Sequence, residues 1–175
     1  MPVLPRALEI QGEISTIRRD IHAHPEENWE EVFAHSRLTD ALGDNGHDVR
    51  RKAYDLETAF ELRTGNKGAT VAVLCEYDAL PGIGHGCGHN IIAAAGLGAG
   101  LALAPLAEEA GGRLRLMGTP AEEGGGGKIE MARRGQMLAT LQAVFGRLCP
   151  DASVSIDRLA LMKQESELSA FRVLS

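Results

Sequence analysis

Aromatic residues are scarce: Phe, Trp and Tyr make up 4% of the 175 residues. A core built from such a chain must pack Ala, Leu, Val and Ile, and the 21 glycines serve turns and close backbone approach. Cysteine is also sparse, with only Cys75, Cys87 and Cys149. An odd, widely spaced set is no disulfide framework, so reduced thiols and a cytoplasmic location are expected. Basic residues are in deficit, 18 Lys and Arg against 24 Asp and Glu, for a net charge of −6. The Lys/Arg footprint of a phosphate-backbone partner is missing, which excludes nucleic acid as the expected ligand. Residues 1–10 carry no apolar h-region, so no signal peptide is expected there. Long hydrophobic runs are absent too. The stretch 91–107 is Ala/Gly-rich and holds Pro105, short of the roughly 20 strongly apolar residues of a membrane span. It predicts a buried helix and no membrane partner.

The apolar periodicity then outlines the elements. Ile10, Ile14, Ile17 and Ile21 recur at helical spacing and predict a helix over 7–22, stopped by Pro25. Val32, Phe33, Leu38 and Leu42 predict a second over about 27–42, ended by Gly43 or Gly46. Residues 48–53 and 58–63 look like short strands around later turn signals. Ala69–Cys75 is a continuous apolar, β-rich run and predicts a central strand covered on both faces. A Gly- and Pro-punctuated loop follows, then a helix over 90–106 whose Gly96, Gly98 and Gly100 permit close packing on a sheet. Arg113–Gly118 alternates like a strand. Residues 137–148 and 156–168 each read as a helix. The strand–loop–helix–strand order predicts an α/β layered domain, with ligand-bearing residues at the carboxyl ends of the strands.

Three segments carry chemistry. In Gly84-His85-Gly86-Cys87-Gly88-His89-Asn90, Cys87 and His89 lie two apart in what reads as an extended loop, so both side chains can point one way. A thiolate and a neutral imidazole are good zinc ligands. Alone, the spacing is weak evidence and more often marks a buried small cysteine beside a helix start. Glu122 and Glu123 follow a predicted strand and precede four glycines. One can ligate a metal while its neighbour acts as general base, but only if the strand has already ended, because strand neighbours point to opposite faces. A solvated acidic turn is the alternative. Asp78, at the end of the apolar strand, can orient a metal-bound histidine or simply form a turn before Pro81.

Two phosphate-loop motifs fail on the residues that carry the mechanism. Residues 82–87 begin as G-x-G-x-x-G but end on Cys87. Residues 124–128 suggest a Walker loop, but Glu122 stands at its first glycine position and Ile129 at its Ser/Thr.

Together these segments resemble the M-twenty metallopeptidases, which include aminoacylases, carboxypeptidase G-type enzymes and aminobenzoyl-glutamate hydrolases. The matching pieces are Ile21-His22-Ala23-His24-Pro25-Glu26 with Glu30-Glu31, Cys75-Glu76-Tyr77-Asp78-Ala79-Leu80-Pro81, residues 84–90, and Gly118-Thr119-Pro120-Ala121-Glu122-Glu123 with the glycines and Lys128. The Cys-Gly-His-Asn form is similar to the subgroup in which a cysteine is a metal ligand. The resemblance implies a mixed central sheet flanked by helices, a zinc-exopeptidase-like catalytic domain. It implies that Cys87, His89 and Glu123 bind metal, that Glu122 is the general base and that Asp78 orients. The implied ion is Zn2+, with Mn2+ or Co2+ as alternatives, and the implied reaction is hydrolysis of an amide in an N-acyl amino acid or dipeptide. His22 and His24 match by position only and are left out of the site.

Family members are longer. They form homodimers through a lid domain and supply further histidine ligands, whereas this chain has no histidine after His89. The expectation is a truncated or frame-shifted chain: a partial catalytic domain over 1–135, a helical tail of other origin over 136–175, no lid, and at most part of a two-metal site. The competing expectation is an inactive homologue serving as a binding or regulatory subunit, or a non-functional fragment.

Overall fold

The isoleucine stripe forms its helix. In the computed structural model, which describes residues 5–134, α1 (Pro5–Ala23) buries Ile10, Ile17 and Ile21. The second helix starts later than its periodicity predicts, at α2 (Val32–Asp44). Residues 27–31 instead make a turn in which Trp29 takes a left-handed φ of 68°. The Glu26 carboxylate sets the boundary by accepting the Phe33 and Ala34 N–H groups at 2.8 and 3.0 Å. Those donors lack a partner in a first helical turn, and a negative charge there also suits the helix dipole. Gly46, not Gly43, supplies the left-handed residue beyond the helix end.

The strands are β1 (Val49–Arg51), β2 (Phe60–Thr64), β3 (Thr70–Glu76) and β4 (Arg113–Thr119), with α3 (His89–Glu109) linking β3 to β4. The sheet order is β1-β2-β4-β3. The first two pairings are antiparallel and β3–β4 is parallel, so the sheet is mixed, as the resemblance implies. One expectation fails. The apolar run at 69–75 was to be the central strand, yet among the described residues β3 pairs with β4 alone, and Val71 is 55% exposed. Apolarity reports what covers a strand's faces, whereas pairing is decided by which edges meet. The alternating, Arg-bearing β4 takes the inner place.

Helix α3 is long and apolar enough, by length and composition, to cross a membrane. More than half of that stretch is buried, and it packs on α1, β3 and β4. A Cβ on Gly96 would lie 2.6 Å from Cys75 Sγ, and one on Gly100 2.6 Å from the Leu116 side chain. Those two glycines let the helix settle on the sheet. Gly98 turns instead to Ile14 of α1, where a Cβ would make an ordinary 3.6 Å contact. The core joins Ile17, Ile21, Leu38, Leu42, Phe60, Leu62, Leu97, Leu101 and Leu116.

One buried ion-pair network lies within the sheet region. Glu61, with its side chain 1% exposed, receives Arg115 Nε at 2.6 Å, Arg63 Nη2 at 2.8 Å and the Tyr54 hydroxyl at 3.1 Å. Burial and the adjacent Glu61 push the Tyr54 hydroxyl up to about 12. The chain divides into two compact units, Met1–Gly127 and Lys128–Ser175. A short helix, α4 (Gly127–Arg133), opens the second. The two helices predicted over 137–148 and 156–168 lie outside the described residues.

Candidate metal centre

The parallel pairing of β3 and β4 places Glu76 opposite Thr119. The segments leaving these strands therefore start side by side at one end of the sheet. The first runs through Tyr77, Asp78 and Ala79, all buried, and is pinned where Ala79 N–H donates to the Glu26 carbonyl at 2.8 Å. It then turns twice. The second turn closes with Gly88 N–H on the His85 carbonyl at 3.1 Å, and Gly88 has a φ of 87°. Helix α3 begins at His89. Cys87 and His89 thus converge across a turn and a helix start, not along the extended loop their spacing predicts. The left-handed residue between them does the work of strand alternation.

His89 is buried, and its ring is held on one side. Nδ1 lies 3.0 Å from both the Asp78 carboxylate and the Asp78 carbonyl. That contact leaves Nε2 facing outward, 3.6 Å from Glu76 and 3.7 Å from each of Glu122 and Glu123. Burial pulls the ring pKa down, but the Asp78 carboxylate outweighs it and the net direction is up. Burial likewise raises Asp78, and the His89 ring with the Glu123 N–H reverses it, so this carboxyl sits below its ordinary value. Desolvation pushes the Cys87 thiol up, with the Glu123 carboxylate adding to the effect.

Glu122 and Glu123 both reach the site because β4 has ended at Thr119. Ala121 takes a φ of 53°, and its carbonyl accepts the N–H groups of Gly125 and Gly127 at 3.1 and 3.2 Å. Glu123 N–H donates to Asp78 Oδ2 at 2.8 Å, which ties the two strand-end segments together. One donor atom each from Cys87, His89 and Glu123 falls within 4.8 Å of the others, and the same holds for Glu76, His89 and Glu122. The donor set fits a divalent ion. It offers thiol, imidazole and carboxylate from one side, on a ring whose other nitrogen is occupied by a carboxylate.

All five residues singled out from the sequence, Asp78, Cys87, His89, Glu122 and Glu123, are brought to this one place. Glu76 is the addition. It ends β3 two residues before Asp78, a position that strand-end geometry could have flagged. His22 stacks on His85, with ring centroids 6.3 Å apart, and His24 stacks on Phe33 at 4.1 Å. Neither His22 nor His24 belongs to either donor group.

Known proteins match this chain in sequence and in fold. Residues 72–162 match Peptidase family M20/M25/M40, a span that runs past Gly135. The chain is 37% identical over 151 residues to the Xaa-Arg dipeptidase of Mus musculus, covering 78% of this chain and 35% of that protein. It is 36% identical over 138 residues to one of the subunits of the p-aminobenzoyl-glutamate hydrolase of Escherichia coli (strain K12), covering 68% of this chain and 29% of the other. The chain thus spans about a third of the length of the curated relatives it matches. The crystal structure of the Bacillus subtilis YXEP protein, described as a dinuclear metal-binding peptidase from the M20 family, superposes with a TM-score of 0.65 at 25% identity, over 73% of this chain and 40% of that one. By sequence, fold and the residues gathered at its strand ends, the chain belongs to peptidase family M20/M25/M40.

Proposed function

We propose that this site serves metal-dependent hydrolysis of an amide bond in an N-acyl amino acid or a dipeptide. Cys87, His89 and Glu123 hold the metal, with Zn2+ favoured by the thiolate–imidazole–carboxylate set. The observation that carries the reading is the convergence of those three donor atoms within 4.8 Å, beside a second glutamate, at the ends of two parallel strands. A bound divalent ion supplies Lewis acidity toward the scissile carbonyl and the attacking water. The protein's own part is proton transfer and orientation. Glu122, about a third exposed beside His89, takes a proton from the attacking water and returns it to the leaving amine. Asp78 fixes the ring tautomer and direction of His89. The names of the relatives, an Xaa-Arg dipeptidase and an aminobenzoyl-glutamate hydrolase, support the substrate class. The free thiols of Cys75 and Cys87 suit a reducing, cytoplasmic setting.

One observation favours a second reading, a metal-binding but inactive homologue acting as a binding subunit: beyond His89, the span that matches the family, residues 72–162, holds no histidine. Metal analysis of the purified chain, with an assay on N-acyl amino acids and dipeptides, separates the two. Stoichiometric metal with turnover is the expected result. Metal without turnover favours the binding subunit, and a stably folded protein that takes up no metal sinks both.

A further inference from the structure

We propose that Glu31 is the positioning residue that aims Glu122 and Glu123, by holding Ala121 in its left-handed conformation. This rests on the reading of those two glutamates as base and ligand.

Glu31 is fully buried, an unusual place for a carboxylate outside a metal site or ion pair. Its partners show what it is for. Oε1 accepts the Ala121 N–H at 2.7 Å and the Trp29 N–H at 3.0 Å, while Oε2 accepts the Thr58 hydroxyl at 2.9 Å. Ala121 lies 90 residues away in sequence and immediately precedes Glu122. A non-glycine residue at φ 53° costs about 1–3 kcal/mol and persists only when its surroundings dictate it. Here they dictate it from both sides of the residue. The N–H is held by Glu31, and the carbonyl is held by Gly125 and Gly127. The loop before Glu31 forms the shelf beneath. A Cβ on Gly125 would lie 2.5 Å from both Trp29 Nε1 and Ala121 Cβ, and one on Gly124 2.9 Å from Asn28 Nδ2. Asp78 grips the other end of the two-glutamate step through the Glu123 N–H at 2.8 Å. Two buried carboxylates therefore hold the backbone on either side of Glu122. Releasing Ala121 to an ordinary φ would redirect the chain ahead of Glu122 and swing both glutamates from His89.

Glu31→Leu tests this in the 175-residue chain, because it keeps a side chain of similar size but removes both oxygens that accept from Ala121, Trp29 and Thr58. Two readouts apply: Co2+ affinity, followed by thiolate-to-cobalt absorption, and amide hydrogen exchange of residues 119–127 in the metal-free protein. The variant is expected to bind Co2+ about tenfold more weakly and to exchange about tenfold faster in that segment. Adding Ala121→Gly, whose glycine adopts positive φ without strain, is expected to return Co2+ affinity to within about threefold of wild type. A Glu31 that merely cross-links the core would lower the melting temperature with no such rescue, and that result overturns the proposal. So does unchanged exchange in residues 119–127. If Glu31→Leu does not fold, the wild-type Ala121 amide decides: protection like that of β4 is expected, and free exchange refutes. Absence of the cobalt–thiolate band in wild type refutes Cys87 as a ligand, and the exchange measurement still decides the role of Glu31.

Discussion

Two groups of ionisable side chains in this molecule, each centred on a buried residue, are built in opposite ways. At Glu61, one carboxylate meets two guanidinium groups and a tyrosine hydroxyl. At His89, one imidazole meets Asp78 on one nitrogen and three further carboxylates within 3.7 Å of the other. The first group is satisfied by its own side chains and needs nothing from solution. The second gathers negative charge and a thiol around one ring, an arrangement that a divalent cation completes. A buried central residue is common to both, so what separates a structural network from a metal centre is the local sum of charge, the presence of soft donors and the exposed rim of Cys87 and Glu123.

The comparison can be broken at its strongest point by Glu122→Gln. That change is expected to lower amide hydrolysis about a thousandfold, with metal content by atomic absorption unchanged. Turnover within about tenfold of the parent would remove Glu122 from the role of base. Next in size is Glu61→Gln, expected to destabilise by about 3 kcal/mol in denaturant unfolding and to leave metal affinity untouched. Its pH behaviour follows from the shift. Burial alone raises Glu61, but Arg63 and Arg115 outweigh it and hold the carboxyl below its ordinary 4.5. A depressed folded pKa contributes stability that is present above the unfolded value and lost as pH falls through the folded one. The decline in melting temperature below pH 4.5 is therefore expected to be shallower in Glu61→Gln. Equal slopes would show that the network titrates elsewhere. Asp78→Asn is the mildest change, expected to weaken metal binding about 10- to 100-fold while the fold survives. Isothermal titration with Zn2+ measures it, and a value within about twofold of wild type would leave His89 oriented by its carbonyl contact alone.

Much of this was legible before any fold was known. The isoleucine spacing of α1 and the apolar positions of β4 report faces that must be buried, and burial periodicity is a local property. The five site residues were legible because their types are rare in such company: a thiol and an imidazole among glycines, two glutamates before four more. Less legible were the start of α2, where the Glu26 side chain caps Phe33 and Ala34 from outside the helix, and the edge position of β3. Both depend on a partner that the local pattern does not contain. Glu31 is the extreme case. As a letter in the chain it is one of two adjacent acids, and only the tertiary structure puts it under Ala121.

The sequence by itself determined which residues could do chemistry and which faces had to be covered, because donor atoms and apolar surface belong to each side chain. Only the tertiary structure decided that Cys87 and His89 meet across a turn, that Glu76 joins them, and that a buried carboxylate holds the strained residue before Glu122. Convergence and strain are relations between distant segments, fixed by a parallel strand pair whose ends coincide.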